Sequence, residues 1–149
     1  MKCPYCGSNL LYTVNTRPTK KDVKVWRRKK CTQCKMLFTT YESIDLSYLL
    51  VAKGSGSVVR FNRAKLFSSI YKAAIQGKHV DHGEMSILAE GFTQEVEAHI
   101  LALRKKKITS SEIRSVVIEV LKKRNLNILF RYLSYFENIS KRQVLKLLS

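Results

Sequence analysis

Four cysteines, Cys3, Cys6, Cys31 and Cys34, are the only thiols in the 149-residue chain, and they fall into two Cys-x-x-Cys pairs with 24 residues between them. Two residues between sulfurs let a tight turn aim both at one ion while backbone N–H groups donate to them, and two such turns complete a tetrahedron around zinc. Gly7 follows the first pair, where the end of such a knuckle needs positive φ; Lys35 holds the matching place after the second pair, so that turn has to carry a non-glycine residue. Four thiolates leave no open position for a substrate, so the spacing predicts one structural Zn²⁺ per chain rather than a catalytic metal. Thioredoxin-type redox chemistry would want one such pair in a βαβ setting, which is missing. The N-terminus, Met-Lys-Cys-Pro-Tyr-Cys, carries no apolar leader, so the thiols are expected in a reducing cytoplasm, without persistent disulfides.

A dense cation lies between the cysteine pairs: Lys20-Lys21-Asp22-Val23-Lys24-Val25-Trp26-Arg27-Arg28-Lys29-Lys30. The chain as a whole has 28 Lys+Arg against 11 Asp+Glu, a formal net charge of +17, which calls for a polyanionic partner. On a metal-pinned hairpin, such side chains neutralise phosphates at little cost in chain entropy, and the arginines, Arg17, Arg27 and Arg28, have the fork geometry to reach base edges. Trp26 is open to two readings, a base-stacking platform or the cap of a small core. A metal-dependent nuclease is a disfavoured rival, because this segment offers only Asp22, Glu42 and Asp45, too few and too scattered for a two-metal site. The longest purely apolar run, Tyr48 to Ala52, is far short of the roughly 20 residues of a membrane span.

Charge and pattern divide the chain into two modules. Residues 1 to 48 hold 10 Lys+Arg against 3 Asp+Glu; residues 49 to 149 hold 18 against 8, over twice the length. In the first module Leu10 to Val14 is β-prone without clean alternation, Asp22 to Val25 alternates, and Lys35 to Ser43 is again β-prone. In the second, Leu46 to Ala52 and Val58 to Phe61 flank a Gly/Ser turn and read as a hairpin. Asn62 is a good N-cap for a helix from Arg63, with Leu66, Phe67, Ile70 and Ala74 on one face and a stop at Gly77. A second helix over about 83–104 buries Met85, Leu88, Ala89, Phe92, Val96, Ile100 and Leu103. Thr109-Ser110-Ser111-Glu112 is a capping box that starts a third, with Ile113, Val116, Val117, Val120 and Leu121 inward. Leu126 to Glu137 forms a fourth and Ser140 caps a short fifth. Lys53, Arg60, Arg63 and Lys65 gather around the turn and the first helix start, where backbone N–H groups favour anions, although a hairpin needs such a turn whether or not it binds anything. There is no Walker-type phosphate loop, and His79, His82 and His99 are assigned no role.

Over nearly its whole length the chain resembles the NrdR family, bacterial transcriptional repressors of ribonucleotide reductase genes that join a zinc ribbon to an ATP-cone domain. The ribbon resemblance rests on Met1-x-Cys3-Pro4-x-Cys6-Gly7, Arg17, the basic run ending at Cys31-x-x-Cys34, and Phe38-Thr39-Thr40-Tyr41-Glu42. In the cone, Val51-x-Lys53-x-x-Gly56 answers the family's VxKRDG, Phe61-Asn62-x-x-Lys65-Leu66 its FDxxKL, and Phe130-Arg131-Tyr132-x-Ser134 its VRFAS; Ala73 falls where that domain keeps small residues beside the adenine. Gly54 and Ser55 replace the Arg-Asp of the nucleotide loop, Ser57 replaces the following Arg, and Val59 stands where a Glu is usual. Trp26 and Lys29 replace the first and last of four arginines typical of the ribbon.

The resemblance implies an α+β protein: a zinc ribbon over 1–46, an ATP-cone over 49–139 fronted by its hairpin, and a helical tail over 140–149. It implies a non-enzymatic repressor, cytoplasmic and nucleoid-associated when bound to double-stranded DNA, with ATP or dATP as regulatory ligand and nucleotide-controlled homo-oligomers. Arg17, Lys24, Arg27, Arg28, Lys29 and Lys30 would then contact DNA, and Val51, Lys53, Gly56, Phe61 and Lys65 would form the nucleotide site. The rival reading is a structural RNA-binding or ribosome-associated zinc-ribbon protein without nucleotide sensing.

Overall fold

The computed structural model describes residues 1–19, 24–77 and 79–137. They fall into two compact units, Met1–Asp45 and a second from Leu46 onward. The first is a three-stranded antiparallel sheet in the order β1 (Leu11–Pro18), β2 (Lys24–Cys31), β3 (Leu37–Ser43). The poor alternation of the first strand has a cause: between Thr13 and Asn15 the register slips, so Val14 is an extra residue opposite no partner. Lys35 has φ 63° and Gly7 φ 72°, so both knuckles end in the left-handed conformation and the second does so without glycine. Of the expected strand Asp22 to Val25, the first two residues lie outside the described residues, as does the helix expected from Ser140.

In the second unit β4 (Leu50–Ala52) and β5 (Val58–Arg60) form the expected hairpin, closed by the Lys53 N–H on the Ser57 carbonyl at 2.8 Å. Sequence pattern missed β6 (Lys107–Thr109), which pairs parallel to β4 and sets the order β5-β4-β6. Three residues that begin inside a run of cations carry no readable period. Helices α1 (Arg63–Ala74), α2 (His82–Ala102), α3 (Ser110–Arg124) and α4 (Leu126–Glu137) pack around this sheet, which makes the protein α+β. Leu66, Ile70, Ala73, Val96, Ile100, Val117, Val120, Leu121, Ile128 and Leu129 are all buried in one core with Leu49 and Ile108.

Helix α2 departs from its expected burial. It buries Ala89, Phe92, Thr93, Val96, Glu97 and Ile100, whereas Leu88 is 40% and Leu103 42% exposed. Leu88 lies to the side of that stripe, and Leu103 is the C-cap, past the last helical turn. The buried polar pair is satisfied: the Thr93 hydroxyl donates to the Ala89 carbonyl at 2.7 Å, and Glu97 meets the Arg63 guanidinium at 3.1 Å.

The capping box at α3 is complete. The Glu112 N–H donates to Thr109 Oγ1 at 3.1 Å and the Thr109 N–H to Glu112 Oε2 at 2.8 Å, while Lys105 Nζ donates to Oε1. The lysine, then the Thr109 N–H and hydroxyl, hold the Glu112 carboxyl at about 2 against an ordinary 4.5. A depressed carboxyl contributes stability above its unfolded value and loses it as pH falls toward the folded one. Glu112→Gln should therefore lower the melting temperature of the helical signal at pH 7, with the gap to wild type closing between about pH 4.5 and 2; a gap of constant size across that range would show that the carboxylate charge contributes nothing.

Candidate functional site

In the first unit the two knuckles bring all four sulfurs within 4.8 Å of one another, with Cys3 to Cys34 and Cys6 to Cys31 each at 3.6 Å. A tetrahedron of zinc–sulfur bonds of about 2.3 Å has edges of about 3.8 Å, so the cluster fits one Zn²⁺. A disulfide would need a separation near 2.05 Å, and all four cysteines are free. Backbone N–H groups point into the cluster. The Cys34 N–H, followed by that of Gln33, holds the Cys31 thiol down at about 6, whereas Cys34, although the Met36 N–H also donates to it, is pushed up to about 12 by burial and by the three neighbouring sulfurs. Four sulfurs this close cannot all ionise without a cation among them, which is the electrostatic signature of a metal site. Cys3 and Cys31 are the only buried residues among those described in this unit. With no apolar core beneath it, the sheet depends on the metal as its interior.

Above the cluster the basic run splits between two faces, because residues directly opposite in an antiparallel pair share a face and neighbours alternate. Trp26 lies between Arg17 on β1 and Tyr41 on β3; Arg28 between Asn15 and Thr39; Lys30 between Tyr12 and Leu37. Lys24, Arg28 and Lys30 thus join Arg17 and three aromatic rings on one face, with Arg28 Nη1 donating to Thr39 Oγ1 at 3.1 Å. The extra residue at Val14 is what turns Arg17 to that side; a regular strand would aim it at the other. Arg27 and Lys29 occupy the opposite face, where Glu42 Oε2 accepts from Arg27 Nη2 at 2.8 Å and from Nε at 3.1 Å. The side of Trp26 left open by sequence is this mixed aromatic and cationic surface.

In the second unit a cavity of about 300 Å³ opens where β4 ends and where α1 and α3 begin. Val51, Lys53, Phe61 and Lys65 line it, as does Val59. Gly56 does not: its φ of 85° shapes the turn behind Lys53, and a Cβ there would meet nothing within 4 Å, so the constraint is on backbone rather than space. Ala73 is fully buried in the core and also stands apart from the cavity lining. Arg63 is turned away as well, held by Glu90 at 2.6 Å and by Glu97. Arg131 of the Phe-Arg-Tyr motif donates to the Ala74 carbonyl at 3.1 Å and closes the C-terminal end of α1.

Sequence reasoning missed Ser69, Ser110, Arg114 and Tyr132, which complete the cavity from α1, α3 and α4. The capping box was the available signal for Ser110, since it predicts a helix N-terminus there. Among the described residues the lining therefore presents Lys53, Arg60, Lys65 and Arg114, no carboxylate, and apolar surface from Val51, Phe61, Leu66 and Ile113. Two helix N-termini, capped by Asn62 and Thr109, face the same space with their positive ends. A polyphosphate attached to a flat apolar group matches those two kinds of surface.

A four-sulfur ribbon bearing cations and a helical domain with an anion-suited cavity define a non-enzymatic, nucleotide-responsive class of transcription regulator. Residues 1–42 match the model described as "Transcriptional repressor NrdR-like, N-terminal domain", and residues 49–140 match the ATP cone domain. Transcriptional repressor NrdR of Cupriavidus necator is 35% identical over 144 residues, covering 95% of this chain and 90% of that protein. Those of Dictyoglomus thermophilum, 31% identical over 100% of the chain and 97% of the relative, and of Caldicellulosiruptor bescii, 36% over 83% and 77%, are also similar. The chain belongs to the NrdR family of transcriptional repressors. Its cofactors are accordingly a structural zinc ion and a regulatory nucleotide. Among the described residues no helix is long and apolar enough to cross a membrane.

Chelating the zinc, or replacing Cys31 by Ser, should unfold the ribbon while leaving the melting transition of the helical signal in place, because the core of the second unit contains no ribbon residue. Zinc content together with amide exchange of residues 1–45 measures this, and ribbon amides that stay protected without metal would refute it.

Proposed function

We propose that the protein binds operator DNA upstream of ribonucleotide reductase genes through the Trp26 face of its ribbon. Adenine nucleotide in the cone cavity would control which homo-oligomer presents that face. The observation that carries this reading is the pairing, on one chain, of a metal-held cationic and aromatic sheet face with a cavity lined, among the described residues, by four cations and no carboxylate. The family supports it, since this chain matches both the zinc ribbon and the cone and aligns over 95% of its length with a relative named as a transcriptional repressor. Ile87, 74% exposed beside Leu88 on α2, supports self-association, as an apolar pair that a second copy would cover.

On this reading Arg17 and Arg28 read base edges while Lys24 and Lys30 meet phosphates. Arg27, already held by Glu42, adds only to the long-range field, and Lys29 shares its face. In the cone, Lys53, Lys65 and Arg114 would hold the phosphates against the N-termini of α1 and α3, with Phe61 and Val51 against the base. A nucleotide shifts the assembly only by binding one oligomer better than another, so ATP and dATP must differ in that respect.

Solution mass and retention of upstream DNA with ATP, with dATP and with neither test the sensing mechanism; equal behaviour in all three would end it. Arg28→Ala should weaken DNA binding by about 1–3 kcal/mol and relax sequence preference, with Arg27→Ala close to wild type. Equal losses from the two would remove the face assignment. Arg114→Ala should weaken nucleotide binding by about 1.5–3 kcal/mol, a charged hydrogen bond's worth; unchanged titration would move the phosphates elsewhere.

A further inference from the structure

The end of the second unit remote from the cavity carries another concentration of positive charge. β4 and β6 run parallel from the Leu50–Lys107 pair to the Ala52–Thr109 pair, so both strands start at one end of the small sheet and finish at the other. Their finishing ends open on the cavity through Lys53 and Ser110. At their starting end lies Arg104-Lys105-Lys106-Lys107, a run of four cations matched in this chain only by Arg27 to Lys30.

All four residues are exposed. Lys105 is paired with Glu112, but among the described residues no carboxylate partners Arg104, Lys106 or Lys107. Four other carboxylates of the unit are engaged elsewhere, Glu90 and Glu97 by Arg63, Glu95 by Arg124 and Glu119 by Lys123. Two ordinary causes account for part of the run. Arg104 follows the C-cap of α2 with φ 53°, where a cation answers the helix dipole, although that field fades within the last turn and does not reach Lys106. Lys107 sits on the edge strand β6, where one lysine is enough to discourage edge pairing. Neither cause requires four adjacent like charges, whose mutual repulsion costs stability until an external polyanion screens it.

The location points to which polyanion. Arg104 and Lys106 border a cavity of about 250 Å³ together with Leu46 and the exposed Tyr48. Leu46 opens the second unit directly after Asp45, so the run lies at the end of that unit where the chain enters from the ribbon. We propose that Arg104, Lys106 and Lys107 form a second phosphate-contact surface for double-stranded DNA, separate from the Trp26 face and from the nucleotide cavity. The inference rests on the ribbon binding DNA. A duplex held there is tethered to this end of the unit, and its flanking phosphates become the polyanion of highest effective concentration. The lysines act as point charges without a base-reading fork, so the contribution is independent of sequence.

The test uses zinc-loaded full-length protein and anisotropy titrations against the preferred duplex and a scrambled duplex of equal composition, over a range of salt. Arg104→Ala/Lys106→Ala/Lys107→Ala should lower the slope of log affinity against log salt by about 2 to 3, at roughly 0.9 per phosphate contact. It should weaken both duplexes by the same factor and leave ATP titration unchanged. Lys106→Arg/Lys107→Arg, which keeps the charge, should retain the wild-type slope, and an unaltered helical melting transition shows that the triple variant is folded. A wild-type slope in the folded triple variant overturns the inference. So does lost ATP binding with DNA binding intact, which would assign the run to nucleotide. Wild-type protein with no preference between duplexes would instead sink the ribbon reading. Weakened binding in Arg28→Ala alongside an undisturbed triple variant sinks only the present one.

Discussion

Everything the ribbon presents depends on four sulfurs held around one point. Residues 1–45 bury only Cys3 and Cys31 among those described, so no hydrophobic interior fixes the three strands. Strand order, register and the orientation of each cation follow from the two knuckles that the metal draws together. The second unit is built on the opposite principle. Its interior is a continuous apolar core from Leu46 to Leu133, and its polar burial is limited to groups with partners, such as Thr93 and Glu97.

Where that contrast shows in the sequence, the structure was legible. Cysteine spacing is a short-range code, as is the capping box, and both survive intact in the structure, down to a lysine in the left-handed position after Cys34. Periodicity located the four helices because each packs one face against a shared core. What escaped has long-range causes. Strand β6 is three residues paired with a strand more than 50 positions earlier in the chain. Arg63 reads as part of a cation cluster until Glu90 and Glu97, on another helix, turn it aside. Arg114 and Tyr132 reach the cavity only because α3 and α4 pack beside α1. The splitting of the basic run also depends on pairing: alternation says that Arg27 and Arg28 face opposite ways, but not which of them shares a side with Arg17.

Charge sorting then becomes the organising theme of a chain whose net value is large. Ion pairs with α2 and α3 acids take up Arg63, Lys105, Lys123 and Arg124, and of these Arg63 and Arg124 tie α1 and α3 to α2. Two further sets of cations are grouped by the anion they suit. One set lines a concave space at two helix N-termini, suited to a small polyphosphate; another is spread over a flat sheet beside aromatic rings, suited to a duplex. Shape distinguishes the two uses more than charge does, because both sets are lysine and arginine in similar numbers.

The extra residue in β1 carries one more implication, for how such a ribbon can change over generations. Val14 is 52% exposed and opposes no partner, so its identity is nearly free to drift. Its exclusion from the ladder is not. Were Val14 to pair opposite Arg28, every residue from Asn15 to Pro18 would slip one place and swing to the other side, taking Arg17 away from Trp26 without altering a single cation, whereas deleting Val14 would leave Asn15 opposite Arg28 and Arg17 opposite Trp26 in a regular strand. Related ribbons should therefore tolerate both substitution and loss of the extra residue at this point, and a lineage in which it entered the ladder would need a compensating shift elsewhere in the strand to keep its target.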